Sequence, residues 1–232
     1  NPGGLVEEEQ TRSVDGFGNH ETAVAVRASG GADVQRRVRS YGVQAWGVAV
    51  VEDRLESGAD TRSTVYEYGT GSGQMVLRPP VSKKVNPDGY WERYERDGLG
   101  RLRFVVSQLD GQPSTAVESV SRVTEYSYAP VGGDSGTYQR LVPRSVVVTE
   151  RGAEVSRRYV SFVGNQRIDE TATVAGAPFN AATSLRTTTT YFDSGPNLNR
   201  VSSVAYPDGT MAFYDYSSTP TTQMVVAMRG AH

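Results

Sequence analysis

Four carboxylates lie close together between residues 88 and 97, at Asp88, Glu92, Glu95 and Asp97. Two carboxyl groups on either side of a glycosidic bond are the usual machinery of glycoside hydrolysis. A hydrolase that uses Asp88, Glu92 and Asp97 is therefore one hypothesis. A second interpretation explains the same residues without a substrate: the two aspartates form turns, and the two glutamates pair with neighbouring arginines on a strand surface. We favour the second interpretation.

Nucleophilic catalysis has little support in the sequence. A serine or threonine nucleophile usually needs a nearby histidine as base. The chain has two histidines, His20 after a turn motif and His232 at the last position, and we expect His20 to lie exposed on a loop. There is no cysteine, so thiolate chemistry, disulfides and cysteine-ligated zinc are excluded. The sequence predicts no catalytic residues, and we expect the protein not to be an enzyme.

Metal and phosphate motifs are also missing. The stretches VDGFGN (14–19) and RDGLG (96–100) place oxygen atoms near glycines, but they lack the ligand spacing of an EF-hand loop. The glycine-rich GTGSGQ (69–74) lacks the lysine and the following helix of a phosphate loop. We predict no metal site and no cofactor.

Aromatic residues offer one binding alternative. Tyr90, Trp91 and Tyr94 are close enough in sequence to form a platform on which sugar rings could stack, and Trp46 could join them. This pattern makes a carbohydrate-binding adhesion module the alternative function. Aromatic residues at alternate strand positions are more often cross-strand packing pairs, however, and we prefer that role.

Charge and hydropathy exclude two classes of partner. The formal net charge is −2, so no basic surface for nucleic acid is expected. No apolar run reaches the roughly 20 residues that a membrane-spanning helix needs, so this segment is predicted to contain no membrane span. The sequence begins Asn-Pro-Gly-Gly without an initiator methionine, which we interpret as a piece of a longer polypeptide.

Strand signals occur along the whole chain. Segments rich in valine, threonine and tyrosine are bounded by glycine, proline, aspartate or serine, as in short strands. The stretch 32–42 has apolar residues at helical spacing, but its glycines and flanking β-branched residues favour a pair of strands. The sequence therefore predicts an all-β protein with almost no helix. The clearest predicted strands are 22–28, 63–69, 122–128, 144–150 and 186–192.

The turns between these strands have defined chemistry. In YPDGT (206–210) the proline suits the first central position of a type I turn, and Gly209 suits the left-handed residue of a bulge after it. NPDGY (86–90) repeats the pattern, and TERGAE (149–154) is expected to turn the chain in the same way without proline. DGLG (97–100) turns it again, so one short strand is predicted between residues 90 and 97.

Two features recur in the same order three times. The first is a strand with tyrosine at alternate positions, at Tyr66/Tyr68 and Tyr126/Tyr128, with a looser copy at Tyr191. The second is a hairpin glycine, at Gly89, Gly152 and Gly209, followed by a strand that carries Tyr94, Tyr159 or Tyr214. The spacing is near 60 residues, which indicates repeated antiparallel units that shield one another from solvent.

The stretch YERDGLGRL (94–102) resembles the YD repeat of RHS-repeat proteins, whose core is Tyr-x-Tyr-Asp-x-x-Gly-Arg-Leu. Five of its positions match, and Arg96 stands where the second tyrosine would be; the matching residues are Tyr94, Asp97, Gly100, Arg101 and Leu102. VDGFGN is similar to an Asp-x-x-Gly-Asn variant through Asp15, Gly18 and Asn19. The stretches at 66–74 and 214–218 keep alternating tyrosines but lack the Gly-Arg-Leu half.

The resemblance implies a structural scaffold. In that family, repeated β-hairpins form a curved strip, spiral or solenoid within large bacterial secreted or cell-surface proteins, often as the shell around a toxin domain. The expected partners are neighbouring repeats of the same polypeptide or other copies of it, and glycans for some members. On this interpretation the chain is one array with repeat units at 1–62, 63–121, 122–185 and 186–232.

Overall fold

The computed structural model describes residues 9–14, 19–27, 33–44, 47–57, 59–69, 80–135, 141–219 and 222–231. These residues form an all-β structure, and a 3-10 turn at Glu118–Val120 is the one helical element among them. The prediction of an all-β protein with almost no helix is therefore confirmed for the part of the chain that the structure describes. No helix in that part is long and apolar enough to cross a membrane.

Sixteen strands make up the described structure. They are β1 Glu9–Val14, β2 His20–Arg27, β3 Asp33–Gln44, β4 Gly47–Ser57, β5 Asp60–Tyr68, β6 Val81–Val85, β7 Trp91–Arg96, β8 Leu102–Ser107, β9 Arg122–Ser127, β10 Ser145–Glu150, β11 Ala153–Val163, β12 Gln166–Thr171, β13 Leu185–Tyr191, β14 Val201–Ala205, β15 Thr210–Thr219 and β16 Thr222–Ala231. All five of the clearest predicted strands are present, with ends displaced by up to three residues.

The chain divides into two compact units. The first contains Asn1–Glu95 and Val105–Val117, and the second contains Arg96–Phe104 and Glu118–His232. Strands β7 and β8 each contribute residues to both. Of the predicted repeat boundaries, residue 122 opens β9, residue 186 is the second residue of β13 and residue 63 lies inside β5. The division into repeat units stays a prediction.

In the first unit, β1 to β7 pair antiparallel in chain order, each with its neighbours in sequence. Helix and strand signals competed in the segment 32–42; its described residues, 33–42, lie in β3, and the partner strand β4 follows directly in the chain. Val38 is 1% exposed and faces Ala23 across the β2–β3 ladder. β-branched residues suit this pleated position, which explains why strand propensity prevails over the helical spacing.

In the second unit, β9 to β16 form the same kind of antiparallel meander. Among the residues whose burial the structure describes, the buried apolar ones of this unit are Val123, Tyr159 and Ala212. Buried polar residues accompany them, including Ser161 and Glu170. Polar groups need partners when they leave water, so the contacts of these residues define how the unit is built.

Three of the predicted turns share one hydrogen-bond pattern. In each, the residue before the turn accepts from a glycine amide three positions later and donates to a carbonyl four positions later, at Asn86, Asp97 and Tyr206. The glycines Gly89, Gly100 and Gly209 have φ between 78° and 83°. This left-handed geometry confirms the predicted type I turn with a bulge.

The turn at residues 149–154 differs in type from the proline-containing turns. Arg151 and Gly152 both have positive φ, and Glu150 pairs directly with Ala153. This is the backbone of a two-residue type I′ hairpin, with the register shift placed inside the ladder at Val148/Thr149 instead of at the turn. The prediction of a tight hairpin at this position is therefore confirmed, and its turn type differs from that of the proline-containing turns.

Candidate functional site

The stretch that carries the YD-like residues is the hairpin turn between β7 and β8. Asp97 begins the turn, and its Oδ1 accepts hydrogen bonds from the backbone amides of Leu99 and Arg101, at 2.9 and 3.0 Å. Gly100 takes the left-handed position, with φ 79°. Each of these roles is typical of its residue type: a short carboxylate satisfies turn amides, and glycine adopts positive φ without strain.

Arg101 connects this turn to β9 within the second unit. Its Nε lies 2.7 Å and its Nη2 2.6 Å from Oδ2 of Asp97. The guanidinium carbon is also 4.0 Å from the centre of the Tyr128 ring. A planar guanidinium can pair with a carboxylate along its edge while it stacks on an aromatic face, and lysine cannot do both.

The electrostatics of this cluster follow from its contacts. Partial burial raises the pKa of Asp97, but the hydrogen bonds from Arg101 and from two backbone amides outweigh it, so the pKa lies below its usual value. Burial raises the pKa of Tyr128, and the neighbouring Arg101 charge opposes part of that change. At neutral pH the aspartate is therefore charged and the tyrosine is neutral.

Three of the four acidic residues of this stretch make hydrogen bonds within the local structure. Asp88 Oδ1 accepts from the Tyr90 amide at 2.9 Å, which stabilises the first turn. Glu92 Oε2 accepts from the Tyr94 hydroxyl at 2.5 Å. Asp97 is occupied by its own turn and by Arg101. These contacts give Asp88 and Asp97 the turn roles that the second interpretation expected, whereas Glu92 accepts from Tyr94 where a pairing with arginine was expected.

Trp91 does not fit the sugar-platform prediction. Its side chain is 1% exposed, and its indole Nε1 donates to the Gln112 carbonyl at 2.7 Å. The Arg93 guanidinium lies 5.2 Å from the ring centre and donates to the Ala116 carbonyl at 2.8 Å. Trp91 is thus a core residue under the loop that follows β8, and it has no free ring face. Tyr90 and Tyr94 are half-buried.

The histidine prediction also needs correction. His20 opens β2 and its ring stacks on that of Tyr41, with centroids 4.6 Å apart and an interplanar angle of 5°. It is half-buried, where an exposed loop position was expected. Asn19, from the second YD-like motif, accepts a hydrogen bond from the Val43 amide at 2.9 Å. Asp15, Gly18, Trp46 and His232 lie outside the described residues.

The surface of the first unit carries a groove of about 510 Å³ across β2 to β4. Its lining residues are Thr22, Val24, Val26, Gln35, Arg37, Arg39 and Leu55. Asp53 pairs with Arg37 at 2.5 Å and with Arg39 at 3.4 Å. These pairs, first of all the hydrogen bond from Arg37, lower the pKa of Asp53. Asp53 thus forms ion pairs with both arginines on this strand surface.

Sequence reasoning missed two buried ion pairs in the second unit. Arg144 pairs with Asp134, and both side chains are under 5% exposed. Glu170, with a fully buried side chain, accepts from Arg186 Nη2 at 2.6 Å. The paired residues lie 10 and 16 residues apart in sequence. Glu170 and Arg186 meet as cross-strand partners of β12 and β13, whereas Asp134 reaches Arg144 from the loop between β9 and β10. No local pattern indicates such pairs; the one available signal was the presence of long, glycine-containing loops at these positions.

Within the described part of the chain, no group of three or more histidine, cysteine, aspartate or glutamate residues is arranged to hold a metal ion. The sequence prediction of no metal site stays a prediction for the chain as a whole. The arrangements that the structure does bring together are turn carboxylates, arginine–aromatic stacks and loops hydrogen-bonded to strands.

No protein-family model and no curated protein matches this chain. Among solved structures, it is similar to a porin-like protein from Bacteroides uniformis ATCC 8492, over 95% of this chain and 93% of that one. The TM-score is 0.40 and the sequence identity is 8%. A likeness of this size supports no inference about fold or function.

Proposed function

We propose that this chain is a non-catalytic segment of a structural scaffold, built from a repeated unit of four strands. It belongs, on this proposal, to a large bacterial exported or cell-surface polypeptide of the RHS/YD-repeat kind, in which it serves as part of a shell, stalk or filament. Its partners are neighbouring repeats of the same polypeptide or other copies of it.

The observation that carries the proposal is a four-strand period from β5 onward. Strand β5 contains Tyr66 and Tyr68, and β13 ends at Tyr191. Strand β9 contains Tyr126, and Tyr128 follows one residue after its end at Ser127. The hairpin glycines follow after the next strand in each case, before β7, β11 and β15. Two unrelated sequence features therefore recur at the same place in the strand order, as expected for copies of one supersecondary unit.

The connection lengths have the same period. Starting from β5, the connections run long, tight, tight, long through β9, and the series repeats from β9 to β13. It begins again with a long connection to β14 and two tight ones to β16. Tight connections have five residues or fewer, and long ones have nine or more. Strand number alone does not require this order, so it supports a repeat independently of the tyrosines.

The long loops are held by equivalent strands. In the first unit, Trp91 of β7 donates to the Gln112 carbonyl in the loop after β8. In the second unit, Tyr159 of β11 donates from its hydroxyl to the Ala177 carbonyl in the loop after β12, at 2.8 Å. Each anchor is an aromatic donor on the third strand of its repeat. Aromatic residues with a polar end suit this place, because the ring is buried while the donor holds a loop.

A deletion of one whole period tests the proposal. Removal of residues 122–184 takes out β9 to β12 and joins Ser121 to Leu185, so that Tyr191 moves to the chain position of Tyr128. We expect the shortened protein to stay folded, with a β-type circular dichroism spectrum, a cooperative unfolding transition and hydrogen-exchange protection in β13.

The control is a smaller deletion that breaks the period. Removal of residues 153–171 takes out β11 and β12 alone. Strand β10, the second of its repeat, is then followed directly by β13, the first strand of the next repeat. We expect this protein to lose protection in β13 although far fewer residues are removed. If both deletions unfold the chain, or if the smaller one is tolerated better, the four-strand repeat and the scaffold role that rests on it are refuted.

A further inference from the structure

Two loops of the second unit fold over β11. The first, residues 129–135, lies beside the end of this strand: the Ser135 amide donates to the Phe162 carbonyl at 2.8 Å, and the Phe162 amide donates to Asp134 Oδ1 at 3.2 Å. The buried Ser161 hydroxyl donates to the Val131 carbonyl at 2.9 Å. This loop therefore supplies partners that the β-ladder does not provide there, since the β10–β11 pairing ends at Ser145 and Tyr159.

The second loop, residues 172–184, covers the face that Tyr159 and Glu170 share as cross-strand partners. Glu170 accepts from the Asn180 amide at 2.7 Å, and the Tyr159 hydroxyl donates to the Ala177 carbonyl at 2.8 Å. Glu154 accepts from the Gly176 amide at 2.8 Å. Three points along the loop are thus held by groups of β11 and β12.

Phe179 joins the two loops. Its ring packs edge-on against that of Tyr159, with centroids 5.7 Å apart, and the Arg186 guanidinium lies 5.4 Å from its centre. On its other side the ring meets Gly132 of the first loop so closely that a Cβ at Gly132 would lie 2.9 Å from the ring Cζ, with other ring atoms nearer still. Gly132 has φ 56°, so glycine suits this position for two reasons: it adopts a positive φ without strain, and it leaves room for the Phe179 ring.

We propose that loops 129–135 and 172–184 form one cooperative strap across β11, with Phe179 as the contact that couples them. The strap closes over the Tyr159 ring and the Glu170 carboxylate, whose side chain is fully buried. Opening of either loop removes packing from the other, because both use the same aromatic ring. The face of β11 and β12 that carries these groups is therefore exposed or covered as a whole and not one loop at a time. This device is independent of the repeat proposed above.

Hydrogen exchange on the full chain tests the coupling. In Phe179→Ala, we expect the amides of Ser135 in the first loop and Asn180 in the second to exchange at least about tenfold faster, since a shared packing contact is lost. Gly132→Ala should act in the same way from the other side, because its Cβ displaces the ring. Phe192→Ala is the matched control: it removes an aromatic ring that packs on Tyr216, and it should leave both loop amides unchanged.

The pattern of response decides the question. Faster exchange in both loops, from either strap variant, supports a single strap. Acceleration at Asn180 with unchanged exchange at Ser135 in Phe179→Ala would show two independent loops and overturn the proposal. Equal acceleration in Phe192→Ala would assign the effect to general destabilisation of the unit, and it would overturn the proposal as well.

Discussion

Replacement of Trp91 separates a core role from a ligand-binding role. The side chain is 1% exposed and is the largest fully buried one among the described residues. Trp91→Ala removes a ring that buries on the order of 150–250 Å², and it removes the indole donor from the Gln112 carbonyl, which keeps the Gln108 side-chain amide as a donor at 2.9 Å. Truncation of a buried tryptophan costs about 3–5 kcal/mol. We expect a loss of about 4 kcal/mol in the stability of the first unit.

Trp91→Phe separates the stability lost with ring packing from the stability lost with the indole hydrogen bond. The phenyl ring keeps much of the packing, whereas the hydrogen bond from the indole N–H is lost, and such a bond contributes about 0.5–1.5 kcal/mol. We expect Trp91→Phe to fall between the wild type and Trp91→Ala. Val117→Ala is the control, since that side chain is 64% exposed and its truncation should cost less than about 0.5 kcal/mol.

Urea unfolding followed by circular dichroism measures these differences. With an m-value of about 2 kcal/mol per molar urea, a loss of 4 kcal/mol lowers the midpoint by about 2 M. Hydrogen exchange at the Gln108 amide, which donates to the Trp91 carbonyl at 3.0 Å, assigns the change to the first unit. If Trp91→Ala unfolds at the same urea concentration as Val117→Ala, the core assignment fails. A stable Trp91→Ala protein with lost glycan retention would restore the sugar-platform hypothesis.

Three further predictions concern turns and loops. Gly209→Ala should cost about 1–2 kcal/mol in urea unfolding because φ is 78°, whereas Gly98→Ala, at an open position without positive φ, should be nearly neutral. Arg101→Lys should cost about 1 kcal/mol, measured in the same way, because the second hydrogen bond and the aromatic stack are lost. Hydrogen bonds, first from Arg157 and then from the Gly176 amide, lower the pKa of Glu154 to about 2. The carboxylate of Glu154 therefore contributes about 1–2 kcal/mol of stability above pH 4.5, and this contribution is lost as the pH falls towards 2. Hydrogen exchange at the Gly176 amide measures this pH dependence, and Glu154→Gln should abolish it.

The turns could be predicted from sequence because their chemistry is local. Asp97 and Gly100 satisfy and shape the backbone within five residues, and the same is true of Asp208, which accepts from the Thr210 amide at 3.0 Å. The structure agrees with the sequence at these positions. The exception, at Arg151 and Gly152, arises because a bulge inside the β10–β11 ladder changes the register before the turn begins.

Burial could not be predicted in the same way. Trp91 and Tyr94 lie three residues apart on one strand, and therefore on opposite faces of it. Each face carries both aromatic and charged residues, so the alternation of side chains does not show which face is buried. Which ring is buried depends on a loop that starts 17 residues after Trp91. The buried carboxylates Asp134 and Glu170 escaped prediction for the same reason, because their arginine partners are supplied by non-local folding.

The ion pair between Glu170 and Arg186 also specifies the register of β13 on β12. Strand β13 contains four consecutive threonines, so a shift of two residues along β12 would place one threonine where another had been at two of these four positions. The buried pair prevents it: Arg186 lies opposite Glu170, and a two-residue shift would place Arg186 opposite Ile168 or Ala172. Glu170 would then be a buried charge without its partner, at a cost of about 3–5 kcal/mol. The register of β13 on β12 is therefore specified by this charged pair more than by the row of threonines.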